Sequence, residues 1–255
     1  MSLLRGALLP GAEPFSADGD DIGVIVCHGY TGSPQSVKPW ARYLASRGYS
    51  VRLPRLPGHG TTWQELEQTR WQDWVGTIER TYRELSARCS QVFAVGLSMG
   101  GLLAAKLAID RPEVAGIVLV NPIFTHNHPA LPALPVLRRL VRVFPGIVGD
   151  IKKPGVKEVG YDQNPLQAMY SQTQLWRIVA DQLPQLRAPI LLMISRTDHV
   201  VPPASAELLR SQAGSKDFTE IVLENSYHVA TLDNDAPLIF SSTAEFIERL
   251  RHQKG

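Results

Sequence analysis

Cysteine is scarce in this chain, with Cys27 and Cys89 the two present among 255 residues. Both lie in or beside apolar, core-type segments, and neither stands at a metal-ligand spacing. That excludes a disulfide framework and a zinc module, and is read as two buried thiols in a reducing compartment. Long apolar runs are also missing. No stretch reaches the roughly 20 apolar residues that a spanning helix needs. The apolar patch at the start is broken by Pro10 and Glu13 before a signal-peptide core forms. A cytoplasmic protein without stable membrane insertion is therefore expected. Charge of one sign is lacking too: 26 Lys and Arg stand against 24 Asp and Glu, a net charge of +2. No basic tract is interleaved with aromatics, so no nucleic-acid partner is expected. What remains is ordinary globular material, 44% hydrophobic and 20% charged, sufficient for one large core.

β-type and helical segments alternate along most of the chain, which predicts a mainly parallel sheet covered on both faces. The continuous apolar run Ile22–Cys27 marks a strand buried on both sides, and further strands are expected at Tyr49–Leu53, Val92–Val95, Ala115–Asn121, Pro189–Ser195 and Phe218–Leu223. Helices are expected over Val37–Arg47, Trp71–Ala87, the stretch after Ser98, Ala204–Gln212 and Leu238–Leu250, the last with Asp235 as cap. The pattern changes after Pro122. Residues 123–187 contain no convincing strand, three prolines within Pro129–Pro135, and helical pieces at Val136–Phe144 and Leu166–Gln182. In the first piece Leu137, Leu140, Val141 and Phe144 are expected to share one face. This stretch reads as a cap inserted into a core made of residues 1–122 and 188–255.

The segment richest in chemistry is Gly96-Leu97-Ser98-Met99-Gly100-Gly101. An apolar strand that ends in Gly-x-Ser-x-Gly and runs into LLAAKLAID has the layout of a nucleophile elbow. The flanking glycines let strand and helix pass closely, and the helix N-terminus points its free N–H groups at the reacting centre. A serine hydroxyl is a poor nucleophile at neutral pH, so it needs a neutral imidazole and a carboxylate that orients it. In this layout the chain order is Ser, then Asp or Glu, then His, the later two on loops that follow strands. Asp198 follows the Pro189–Ser195 strand and His228 follows Phe218–Leu223.

Six other histidines compete for the base. His252 lies in the terminal tail, and His126 and His128 lie in the cap without a strand to place them. His199 shares a loop with the proposed acid. His28 and His59 are better used to hold the turns around them. The rival acids are Glu224 and Asp162. Donors for an oxyanion should come from the backbone N–H of Met99, next to the nucleophile, and of Tyr30, in the loop after the first buried strand. The Tyr30 side chain would then line the acyl pocket.

His28-Gly-Tyr-Thr-Gly-Ser33, Pro57-Gly-His-Gly60, the Ser98 elbow, Thr197-Asp198 and Ser226-Tyr-His228 together resemble the α/β-hydrolase serine carboxylesterases. The closest likeness is to the small bacterial carboxylesterase and monoacylglycerol lipase group. The resemblance covers nearly the whole chain and is weakest in the cap. It implies an eight-stranded core, here with the first strand absent, and a serine mechanism with no metal and no cofactor. It also implies hydrolysis of short-to-medium acyl esters, with Ser98, Asp198 and His228 as catalytic residues and Tyr30 and Met99 as oxyanion donors. Serine at the elbow argues against the haloalkane dehalogenase and epoxide hydrolase branches, which need aspartate there. The His-Gly-Tyr-Thr-Gly loop argues against the hormone-sensitive-lipase branch.

The apolar cap residues Ile123, Phe124, Leu131, Leu134 and Leu137 are expected to wall an acyl tunnel, with Ile123, Phe124 and Leu137 in contact with the substrate. A thioesterase, an acyltransferase or a peptidase would share the same triad, and a non-catalytic ligand-binding member of the fold is a further alternative. The cap region 122–188 carries eight Lys and Arg and four Asp and Glu. That basic excess suits transient contact with an anionic lipid interface as well as a solvated face.

Overall fold

The computed structural model describes residues 6–251. Its main sheet runs β1 (Phe15–Ala17), β3 (Ser50–Leu53), β2 (Ile22–Cys27), β4 (Gln91–Leu97), β5 (Gly116–Val120), β8 (Ile190–Ser195) and β9 (Phe218–Leu223). Every neighbouring pair is parallel except β1 with β3. The antiparallel edge strand β1 has no apolar run to mark it, and the sequence pattern passes over it. Among the described residues the main sheet thus has seven strands, one fewer than the eight-stranded core the resemblance implies.

Strand geometry explains the two apolar layers, because successive side chains point to opposite faces. Ile25, Ala94, Ile117, Leu119 and Leu192 join one cluster with α3 (Trp71–Ser86), α4 (Met99–Asp110) and α7 (Pro203–Gln212). Val24, Val26, Phe93, Val95, Val118 and Met193 join the other with α1 (Lys38–Ser46) and α8 (Ala236–Arg251). A strand buried on both faces can carry few polar side chains, which is why β2, β4 and β5 read as unbroken apolar runs.

The stretch between β5 and β8 differs from expectation. Its last helix, α6 (Leu166–Gln182), has the expected bounds, but Leu175, Trp176 and Val179 belong to the core cluster. It serves as the crossover helix that joins two parallel strands. The first helix, α5, spans Leu134–Leu140, two residues earlier at its start and four earlier at its end than the expected Val136–Phe144. Pro135 occupies its first turn, where a missing N–H costs nothing. Beyond it the chain is extended, and β6 (Val143–Pro145) pairs antiparallel with β7 (Gln163–Pro165). Leu140 and Phe144 consequently face outward, 77% and 62% exposed, rather than sharing a buried face with Leu137. Two three-residue strands with a proline in each give no period-2 signal.

Candidate active site

At the end of β4 the backbone turns sharply into α4 with Ser98 at φ 56° and ψ −117°. A non-glycine residue adopts such a conformation only when the surroundings enforce it. Here they do so by contact. A Cβ on Gly96 would sit 2.2 Å from the Gly100 backbone, and one on Gly100 would sit 2.0 Å from the carbonyl oxygen of Cys27. Only glycine allows strand, elbow and helix to approach this closely. The Ser98 N–H donates to the carbonyl of Val120 at 2.9 Å, which fixes the turn to β5.

Asp198 and His228 come together from separate loops. The Asp198 Oδ2 lies 2.8 Å from His228 Nδ1, while its Oδ1 accepts the N–H groups of Val200 and Val201 at 2.8 Å each. Burial opposes both charges. For His228 the nearby Asp198 carboxylate outweighs burial and lifts the imidazole above its ordinary pKa of 6.5. For Asp198, burial is likewise outweighed by the His228 charge and hydrogen bond, so the carboxyl falls below its usual value. The tautomer with the proton on Nδ1 follows from this bond and leaves Nε2 free to accept.

Two supports of this pair have no motif in the sequence and went unpredicted. Asn121, at φ 44°, donates from Nδ2 to the His228 carbonyl at 2.8 Å and accepts the Ser195 N–H at 2.7 Å. It thereby ties the ends of β5 and β8 to the histidine loop. Asp150, in the inserted stretch, accepts the His228 N–H at 3.1 Å and the Nδ1 proton of His199 at 2.8 Å.

Ser98 and His228 line one cavity of about 360 Å³ together with Tyr30, Ile123 and Leu137. Met99 is not among the lining residues: its side chain is fully buried in the core, and its N–H stands at the first helical position, where the helix itself supplies no partner. Phe124 corrects the sequence reading. It does not reach the cavity but is 1% exposed in the core, with its N–H donated to Ser205 Oγ at 2.7 Å. The serine bond turns the segment inward just after Ile123, a tether that composition cannot reveal. Tyr30 lines the cavity, and its hydroxyl donates to Asn164 Oδ1 at 3.0 Å and lies 3.2 Å from the Pro165 carbonyl. It thus joins the first loop to β7.

The remaining histidines fall where their loops use them. His28 Nε2 accepts the Leu56 N–H at 3.1 Å and Nδ1 donates to the Gly29 carbonyl at 3.0 Å; burial pushes its pKa down to about 4. His59, buried beside it, bonds the Pro57 carbonyl at 3.0 Å. His126 and His128 stand on the cavity wall, and His252 lies outside the described residues. Of the rival acids, Glu224 is paired with Arg196 on the surface and Asp162 is exposed.

The cavity lining is of two chemical kinds. Leu131, Leu134, Leu137, Leu166 and Met169 are among its apolar residues. Thr31, Asp150 and Glu158 are among its polar ones, and Glu158 Oε2 accepts the Gly149 N–H at 3.0 Å. Burial raises the Glu158 carboxyl above its ordinary pKa. No sequence pattern marked Glu158 out. Among the described residues no cluster of His, Cys, Asp and Glu is arranged to hold a metal ion, and no helix is long and apolar enough to cross a membrane.

Comparison with known proteins agrees with this architecture. The family model described as "Alpha/beta hydrolase family" matches residues 24–239. The chain belongs to the α/β-hydrolase family. It is 40% identical to the thermostable monoacylglycerol lipase of Bacillus sp. (strain H-257), over 95% of this chain and 96% of that one. It is 28% identical to a carboxylesterase of Bacillus subtilis (strain 168), over 93% and 97% of the two chains. A solved structure reported for LipS and LipT, two metagenome-derived lipolytic enzymes, superposes with a TM-score of 0.92 at 43% identity, covering 95% of this chain and 100% of the other. The fold extends at 18% identity to a Paleococcus ferrophilus monoacylglycerol lipase, with a TM-score of 0.80.

Proposed function

We propose that this α/β hydrolase is a serine carboxylic-ester hydrolase acting on monoacylglycerols and related short-to-medium acyl esters. One observation carries the chemistry: Asp198 and His228 are paired at 2.8 Å on the cavity whose wall holds the strained Ser98. In the reaction, His228 Nε2 takes the proton of Ser98 Oγ as the oxygen attacks the ester carbonyl. The carbonyl oxygen gains the charge, and the N–H groups of Tyr30 and Met99 stabilise it. The tetrahedral intermediate collapses, the C–O bond to the alcohol breaks, and His228 returns the proton to the leaving oxygen. Water then repeats the sequence on the acyl-enzyme and releases the acid.

The mixed lining of the cavity supports a monoacylglycerol. Its apolar residues suit an acyl chain, each buried methylene being worth about 0.8 kcal/mol. Glu158 and Asp150 offer acceptors to the hydroxyls of a glycerol leaving group. Hydrolysis of an ester, a thioester and an amide with the same acyl group separates this reading from a thioesterase or peptidase; the ester is expected to be the best substrate.

We also infer that the enzyme meets its substrate at an anionic lipid surface. Val136, Leu140, Val141, Phe144 and Ile147 are large, apolar and exposed within twelve residues, and Phe144 and Ile147 line the cavity as well. The exposed Arg139, Lys152 and Lys153 lie in the same basic stretch. Apolar insertion flanked by cations suits anionic headgroups.

A further inference from the structure

One side chain on the cavity wall is out of character with its surroundings. Gln172, on α6, is 2% exposed and lines the cavity, yet among the described residues its amide has no hydrogen-bond partner. It is not among the polar side chains sealed wholly inside the protein, so its amide opens onto the cavity. Its neighbours on the same helical face, Met169 and Trp176, are apolar cavity-lining residues. The amide of Asn121 is engaged by contrast, bonding Ser195 and the His228 carbonyl.

A leucine or methionine at this place would keep the helix and close the apolar wall. Glutamine instead leaves a donor and an acceptor that must be satisfied by whatever fills the cavity. Water serves while the cavity is empty of substrate. A saturated acyl chain would expel that water and strand the amide. A chain with a hydroxyl at the same depth would replace it, because a hydroxyl both gives and accepts a hydrogen bond.

We propose that Gln172 selects acyl groups that carry a hydroxyl along the chain, so that glycerol esters of hydroxylated fatty acids are preferred over saturated ones of equal length. The proposal rests on the ester-hydrolase reading, and it assigns Gln172 to recognition of the acyl group rather than to the chemistry. Selection by one amide against a chain that strands it corresponds to about tenfold in kcat/KM, or about 1.4 kcal/mol.

The test is a series of decanoyl glycerol esters with a hydroxyl walked along the chain, each compared with the unsubstituted ester. The wild-type protein is expected to favour one hydroxyl position by about tenfold. Gln172→Leu is expected to invert that ratio, and Gln172→Met provides the same test if the leucine variant does not fold. Preference for the unsubstituted ester at every position, or a hydroxyl preference that survives in the variants, would overturn the proposal alone. If no ester is hydrolysed at all, the ester-hydrolase reading fails and takes the proposal with it.

Discussion

Asp150 holds the backbone of His228: its Oδ2 accepts the histidine N–H at 3.1 Å, and its carbonyl accepts the next N–H, of Val229, at 3.0 Å. The inserted stretch therefore grips the loop that carries the proposed base. A cap that served only to wall an acyl tunnel would have no need of this contact. Asp150→Ala is expected to lower kcat about tenfold, on acetate esters as much as on long-chain ones, through loss of a buried hydrogen bond that positions the imidazole. A loss confined to long chains, measured over a series of nitrophenyl esters, would show the contact to be immaterial to the base.

The pH profile follows from the raised pKa of His228. Neutral imidazole is required, so kcat/KM must fall as pH drops through that pKa, with the midpoint on the alkaline side of the ordinary 6.5. His28, His59 and His126 are pushed the other way, chiefly by burial, and cannot supply such a midpoint. Asp198→Asn removes the charge that lifts His228. It should shift the midpoint down and cut kcat by several orders of magnitude, as measured by initial rates between acid and mild alkali. A profile unchanged in Asp198→Asn would show another acid to be the partner.

Glu158 provides the test of the alcohol site. If its half-buried carboxyl receives glycerol hydroxyls, Glu158→Leu should raise KM for a monoacylglycerol about tenfold and leave the methyl ester of the same acid nearly untouched. Equal losses on both esters, read from steady-state kinetics, would place Glu158 outside alcohol recognition.

Much of the core was legible because its signals are long and regular. The apolar runs of β2, β4, β5 and β8 require burial on both faces, and α6 carries a clear helical period between prolines. The elbow could be read from local sequence because Gly96 and Gly100 have contacts that only glycine tolerates. What was missed depends on long-range contacts. Phe124 is drawn into the core by a bond to Ser205, eighty-one residues away. The strands β6 and β7 are held by pairing with each other, not by any pattern of their own. Asn121, Asp150 and Glu158 are single polar residues whose purpose appears only when distant loops converge.

The exposed apolar group on the inserted stretch predicts adsorption to lipid. Vesicles containing anionic phospholipid should bind the protein at low salt and release it as salt rises. Leu140→Ser combined with Phe144→Ser should abolish binding while hydrolysis of a dissolved acetate ester continues. Equal sedimentation of the double variant and the parent with vesicles would remove the assignment.

The proposed chemistry depends on Ser98 as the nucleophile. The most direct measurement is peptide mass mapping after exposure to a fluorophosphonate, run beside Ser98→Ala. A single adduct on Ser98 is predicted, absent from a folded alanine variant that has lost at least about 10³-fold in kcat. An adduct on another serine, with hydrolysis retained in Ser98→Ala, would contradict the account.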